Sequence, residues 1–400
     1  QPLRLRLRIF TIFFLYKQTH QAVRKGELST IMKLVFDKAD LVKSVGIAMK
    51  AVSGKTTMPI LECILIDASS NVIKFTSNDM ELGIETIVTG MILERGIVAL
   101  DAKIFSEIVR KLPDNQVTIE TDENLVTTIT CEKAKFNIPG QSGEDFSYLP
   151  ILETFDCVSI SQFTLKELIR QTIFSIAANE NNKLMTGELF EIKDNTLRVV
   201  SLDGHRIAIR RIELKDSYPD RKVVVPGKTL NEISKILSGE MDDQIDIYFS
   251  ENHIMFKFDD TTVVSRLIDG EYFRIDQMLS SDYETKVTIN KKEFLSCIDR
   301  ATLLVKEGDK KPIIIDIQDG AMELQINSAM GSMKEEIDIN KEGKDIMIGF
   351  NPKFLIDALR VIDDEEISIY LVNPKAPCFI RNEEESYIYL ILPVNFNSVR

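Results

Sequence analysis

The sequence predicts an α+β protein of three repeated domains, each made of two strand–helix–strands halves, and three observations carry that prediction. The first is a strand–helix–strand unit that opens at Val98, Val225 and Ile348, at offsets of 127 and 123 residues. A unit recurring at this period is the leading feature a fold must explain. The second is an interleaved series in which Leu34-Val35-Phe36, Val158-Ser159-Ile160 and Val287-Thr288-Ile289 each run into a helical pattern. The third is the helix-start chemistry. Asn351 is placed to cap a helix with Pro352 at its first position, where the missing N–H costs nothing. Thr164 with Glu167 and Asn290 with Glu293 have capping-box spacing.

Taken in order, residues 1–31 stand outside the pattern. Arg4, Arg6 and Arg8 precede an apolar run at 9–16 that is too short to span a bilayer. No clean small-residue cleavage site follows, so the segment reads as a non-native or disordered leader before Met32. The first domain is expected over 32–152, with helices at 37–53 and 101–112. Its Ser53-Gly54-Lys55-Thr56 resembles the end of a phosphate-binding loop. Position 49 is Met where that loop requires Gly, and a helix rather than a strand precedes it, so nucleotide hydrolysis is excluded. The stretch Ala134-Lys135-Phe136-Asn137-Ile138 reads as an alternating strand with exposed apolar residues.

The second domain, 153–282, carries helices at 164–178 and 226–237. In the first of these, Leu165, Leu168, Ile169, Ile173 and Ile176 follow helical spacing. Asp203-Gly204 marks a turn between two β runs. An enzymatic relay there would rest on His205, one of only three histidines, and no nucleophile motif accompanies it. The third domain, 283–400, carries helices at 290–306 and 351–362. It closes on an apolar strand whose last residues, Leu392-Pro393-Val394, either join the core or line an apolar groove.

Composition narrows the function. The five cysteines are scattered without a CxxC pair, which argues against a disulfide framework or a zinc site and for reduced, cytoplasmic thiols. No metal-ligand cluster has diagnostic spacing, and no cofactor is expected. Formal net charge is −13, yet the six expected helices hold sixteen basic residues against nine acidic ones. Cationic helices within an acidic shell fit one surface for a polyanion.

At this point the chain resembles the β subunit family of bacterial DNA polymerase III, the sliding clamps. The likeness spans residues 32–396. It rests on Met32-Lys33-Leu34-Val35-Phe36, Met58-Pro59-Ile60-Leu61, Asp203-Gly204-His205-Arg206, Val225-Pro226, Ile268-Asp269-Gly270, Gly349-Phe350-Asn351 and Leu392-Pro393-Val394, in that order. The resemblance implies the DNA clamp fold, a head-to-tail homodimer closed as a ring with twelve helices inside and sheets outside. Twelve helices about 9 Å apart enclose a circumference of about 110 Å, room for a duplex. It implies a non-enzymatic clamp that encircles double-stranded DNA without sequence preference. It also implies a tether for the replicative polymerase, the clamp loader and repair proteins, bound through short peptide motifs, with no membrane partner.

By the same resemblance, the duplex contacts match Lys55, Asn179, Lys183 and Lys228, joined by the helical cations Lys103, Arg170, Lys235 and Arg360. The peptide pocket matches Met185, Leu202, Gly204, His205, Arg206, Ile207, Phe273 and Met278 in the second domain. Asn351, Phe354, Pro377, Leu390, Leu392, Pro393 and Val394 complete it from the third. The ring contact pairs Phe136 and Ile138 of one protomer with Leu303 and Leu304 of the other, expected as surface hydrophobes. Leu184 stands where some members carry Tyr, Phe273 where many carry Pro and Gln277 where some carry Arg, so the family's motif preference is not carried over to this chain. A phosphate-handling enzyme and a protein-only scaffold are the alternatives. The first needs turnover that depends on His205 or Lys55; the second needs processivity that survives loss of the helical cations.

Overall fold

The computed structural model describes residues 31–54, 56–152, 157–178, 182–280, 282–305 and 311–396. Lys55, Asn179 and the expected leader up to residue 30 lie outside them. The described residues group into two compact units, one of 31–152 with 255–264 and one of 157–254 with 265–396.

The first unit opens on strand Met32–Asp37, helix α1 (Lys38–Ala48) and strands Cys63–Asp67, Ile73–Asn78, Leu82–Val88 and Met91–Glu94. Its second half is Ile97–Asp101, helix α2 (Ala102–Lys111), Gln116–Thr121, Val126–Cys131 and Ala134–Gln141. The halves exchange strands. Each opening strand pairs antiparallel with the first strand after the other half's helix, Leu34 opposite Ile119 and Leu65 opposite Ala99.

The second unit repeats that rule twice. Strand Cys157–Ser161 leads into helix α3 (Gln162–Arg170), and the hairpin Gly187–Leu202/Arg206–Pro226 delivers the chain to helix α4 (Gly227–Ile236). Ile160 pairs with Ile245, and Leu189 with Val224. Strand Thr285–Asn290 leads into helix α5 (Lys291–Thr302), and Ile346–Phe350 into helix α6 (Pro352–Val361). Here Ile289 meets Ile367, and Ile315 meets Ile348.

Within each repeat the two helices pack against one another and lay one apolar stripe on the sheet. In the first repeat Phe36, Phe75 and Phe105 meet edge to face, at ring separations of 6.0 and 6.1 Å. Each buried ring stabilises by roughly 1.5–3 kcal/mol. The third repeat buries Val287, Phe294, Ile298, Ile315, Leu355 and Leu359 in the same way.

The expected caps are partly corrected. Asn290 and Asn351 cap their helices, accepting from Glu293 N and Lys353 N. The cap of α3 is Ser161, not Thr164, because the Ser161 hydroxyl accepts from Thr164 N at 3.0 Å. That serine starts the helix at Gln162, within the reach of one Oγ. Three helices also end sooner than expected. After α1 the chain tightens into a 3₁₀ turn at Met49–Ala51. Leaving α3, Thr172 departs from helical geometry (φ −128°), so Ile173 sits in a separate 3₁₀ turn and Ile176 in extended chain. Helix α5 stops at Thr302, before Leu303.

Candidate partner groove and cationic helices

The hairpin between strands Gly187–Leu202 and Arg206–Pro226 turns on Asp203-Gly204-His205. Asp203 Oδ1 accepts from His205 N (3.0 Å) and Arg206 N (3.2 Å). Gly204 takes φ +86°, a conformation that favours glycine. Behind the turn the Arg206 guanidinium is buried. Nε donates to Asp203 Oδ2 (3.0 Å), Nη1 to Asp357 Oδ2 (2.7 Å) on α6, and Nη2 to Phe174 O (2.6 Å) just after α3. Its carbon centre stands 4.5 Å from the centroid of the Phe354 ring and 5.4 Å from that of Phe174. Charge pairing and ring stacking together fix a planar guanidinium better than either alone.

The last strand, Tyr387–Ile391, pairs with this hairpin, Leu390 opposite Ile207. Beyond it the tail stays attached, with Leu392 N donating to His205 O (2.9 Å) and Val394 N to Gly349 O (2.8 Å). A Cβ on Gly349 would meet the Phe396 ring at 2.6 Å, so glycine there lets the tail lie close. Leu202, Ile207 and Leu390 belong to one buried apolar cluster, with Met185 and Phe273 packed against it. His205 and Leu392 are exposed, and the His205 ring lies 6.0 Å from that of Phe354. The second and third repeats therefore share an apolar cluster, and His205, Phe354 and Leu392 lie where the hairpin turn meets α6 and the C-terminal tail; Met278 is exposed just after Ile275 of that cluster.

Some pocket residues do different work from that expected. Arg206 is a tether whose donors are taken inside the protein. Asn351 uses its side-chain oxygen as the cap of α6, accepting from Lys353 N at 3.0 Å. Pro377 is half-buried beside strand Cys378–Arg381, outside the apolar cluster. A cavity of about 530 Å³ lies on the neighbouring side, where Phe273 and Ile275 join Leu189, Val224, Ile268 and Tyr272.

The candidate duplex contacts also divide. Lys103, Lys183 and Lys228 are exposed. Arg170 is bound to Glu167 and Asp363, Lys235 to Glu232 (2.7 Å) and Arg360 to Asp299 (3.3 Å). Those three are corrections to the picture of freely presented helical cations, because each has an acid within reach on its own or a packed element. Of the ring-contact residues, Phe136 (39%) and Leu303 (75%) are exposed. Ile138 and Leu304 are not surface hydrophobes: each is half-buried, Ile138 against the first repeat's core and Leu304 against the third's.

Three family profiles match in order: the N-terminal domain of the DNA polymerase III β subunit over 32–150, the central domain over 159–273 and the C-terminal domain over 276–395. The chain belongs to the DNA polymerase III β subunit family. Beta sliding clamps of Staphylococcus epidermidis and Staphylococcus aureus are 33% identical over 375 residues, 91% of this chain and 99% of theirs. Among solved structures, a putative DNA polymerase III β subunit from Eubacterium rectale is 71% identical, with TM-score 0.89 over 91% of this chain and 100% of that one. The sliding clamp of Bacillus subtilis is 35% identical, with TM-score 0.88 over 92% and 100%.

Membership places the protein among the DNA sliding clamps of replication, with the three-domain clamp fold. Clamps of this family are processivity factors, not catalysts. Among the described residues no helix is long and apolar enough to cross a membrane. All five cysteines are free. Sequence reasoning missed Asp357 and Phe174, the clamp's two distant anchors for Arg206. Asp203, three residues before Arg206, was the visible signal for the third. It also missed Tyr272, Ile275, Ile388 and Phe379, which join the same apolar cluster from three separate segments.

Proposed function

We propose that two copies of this chain close head to tail around duplex DNA and that the groove between the second and third repeats takes short peptides from the replicative polymerase, the clamp loader and repair proteins. What supports the reading is the apolar cluster shared by the second and third repeats, tied together by Arg206, with exposed His205 and Leu392 beside it. Such a surface fits an extended peptide anchored by leucine or phenylalanine. We keep the domain limits at 32–152, 153–282 and 283–400, and place the protein in the cytoplasm. Lys55, Asn179, Lys183, Lys228 and Lys103 are the duplex contacts of this reading, with Arg170, Lys235 and Arg360 contributing less.

Two free strand edges support the ring contact. Gly331–Asp338 is bonded on one side only among the described residues, to Ala321–Ser328. Residues 134–139 are bonded to Val126–Cys131, and their other side gains a partner strand only at Gly140 and Gln141. Lys133 and Lys135 by one edge complement Glu336 on the other. Phe136, Ile138, Leu303 and Leu304 supply the apolar part.

The test is Leu303→Lys. In sedimentation it should convert a dimer of 45.5 kDa chains into monomers with unchanged circular dichroism. It should also abolish clamp-dependent processivity on primed DNA while peptide binding persists. A dimer that survives the substitution removes this interface, and peptide binding unaffected by His205→Ala together with Met278→Asp removes the groove.

A further inference from the structure

The six helices hold their cations in two different ways. On α3 to α6 most are engaged inside the protein. Lys166 Nζ donates to Leu237 O (3.3 Å) and Lys291 Nζ to Ile362 O (2.6 Å). Arg170, Lys235, Arg300 and Arg360 each face a carboxylate. On α1 and α2 the pattern reverses. Among the described residues the side chains of Lys43, Lys103 and Lys111 are exposed and make no ion pair or hydrogen bond, and Arg110 donates only to its own helix, Nε to Ser106 O (3.3 Å). Lys292 and Lys353, each in the first turn of its helix, are the comparable exposed lysines on α5 and α6.

The difference matters to a phosphate. A cation beside a carboxylate is neutral at a distance, so its field falls off as that of a dipole, and the acid repels the phosphate that approaches it. An unpaired lysine offers its full charge and displaces a counterion from the duplex. Helices α1 and α2 also leave a cleft of about 250 Å³ between them, lined by Val42, Gly46, Met49, Ser106, Val109 and Arg110. A Cβ on Gly46 would find nothing within 4 Å, so the backbone there lies open to a close approach.

Building on the clamp reading above, we infer that the duplex is gripped unequally. Among the helical cations, Lys43, Lys103, Arg110 and Lys111 of the first repeat take most of the backbone phosphates, and Arg170, Lys235 and Arg360 stay with their intramolecular partners. The test uses the full-length dimer, a short fluorescent duplex and anisotropy titrations across a salt series. Replacing the first-repeat four by Ala should lower the slope of log K against log salt by about 0.9 for each phosphate no longer neutralised, roughly 3.6 for each protomer that engages the duplex. Replacing Arg170, Lys235 and Arg360 by Ala should lower it by less than about 1. Arg at positions 43, 103 and 111 should keep the slope. An equal or larger drop from the second set, or none from the first, overturns the inference while leaving a clamp. Wild-type protein with no salt-dependent affinity for duplex overturns the clamp reading along with it.

Discussion

Arg206 commits its Nε, Nη1 and Nη2 to partners inside the fold, and two of those partners lie 151 and 32 residues away in the chain. Its place in the Asp203-Gly204-His205-Arg206 motif was legible in the sequence; its role was not, because Asp357 and Phe174 arrive only through tertiary packing. Removing it strands two carboxylates that are mostly shielded from water, so Arg206→Ala should destabilise by about 3 kcal/mol in urea titration and weaken peptide binding. A loss of less than about 1 kcal/mol would mean that water already serves those acids. Glu188, on the strand Gly187–Leu202, is the opposite case. It is fully buried, and its side-chain oxygens find no hydrogen-bond partner. Burial pushes its carboxyl well above the usual carboxylate range, and the Thr172 hydroxyl that would oppose this is engaged with Leu168 O at 2.6 Å. The folded state therefore retains a proton that the unfolded chain releases above about pH 4.5, and stability falls with rising pH by up to about 1.4 kcal/mol per unit. Glu188→Gln should raise Tm at pH 7 and converge with wild type near pH 4. Equal Tm values at pH 7 would refute the buried acid.

Among the elements, the six α-helices of the described residues and the strands leading into them were legible because the strand–helix–strand unit repeats and each copy corroborates the others. Boundaries were less so. The start of α3 hinged on whether Ser161 or Thr164 offers its hydroxyl, and both residues suit a cap; only the backbone course decides. Ser161→Ala should cost about 1 kcal/mol in chemical denaturation, whereas Thr164→Ala should cost clearly less. The reverse order would restore the later start. The early end of α3 had no local signal. The carbonyls of Gln171, Thr172 and Phe174 accept from Tyr389 (3.1 Å), Ser201 (2.6 Å) and Arg206 (2.6 Å), side chains distant in sequence that satisfy a terminus the helix itself leaves open.

For the molecule as a whole, the charge pattern pointed to one surface for a polyanion and the resemblance to a sliding clamp, and family membership agrees with the second. What composition concealed is that basic residues on helices are not equivalent: pairing with Glu167, Glu232, Glu335 or Asp299 removes several from the set free to meet phosphates. The net charge of −13 then disfavours contact with DNA anywhere outside the cationic helices. Weak, unspecific phosphate contacts permit sliding, and retention on DNA has to come from closure of the proposed ring. The decisive measurement is retention on nicked circular DNA after loading by the clamp loader, before and after the circle is cut. A closed ring predicts that the protein survives high salt on the intact circle and runs off once the DNA is linear. Equal retention on circular and linear DNA would contradict it.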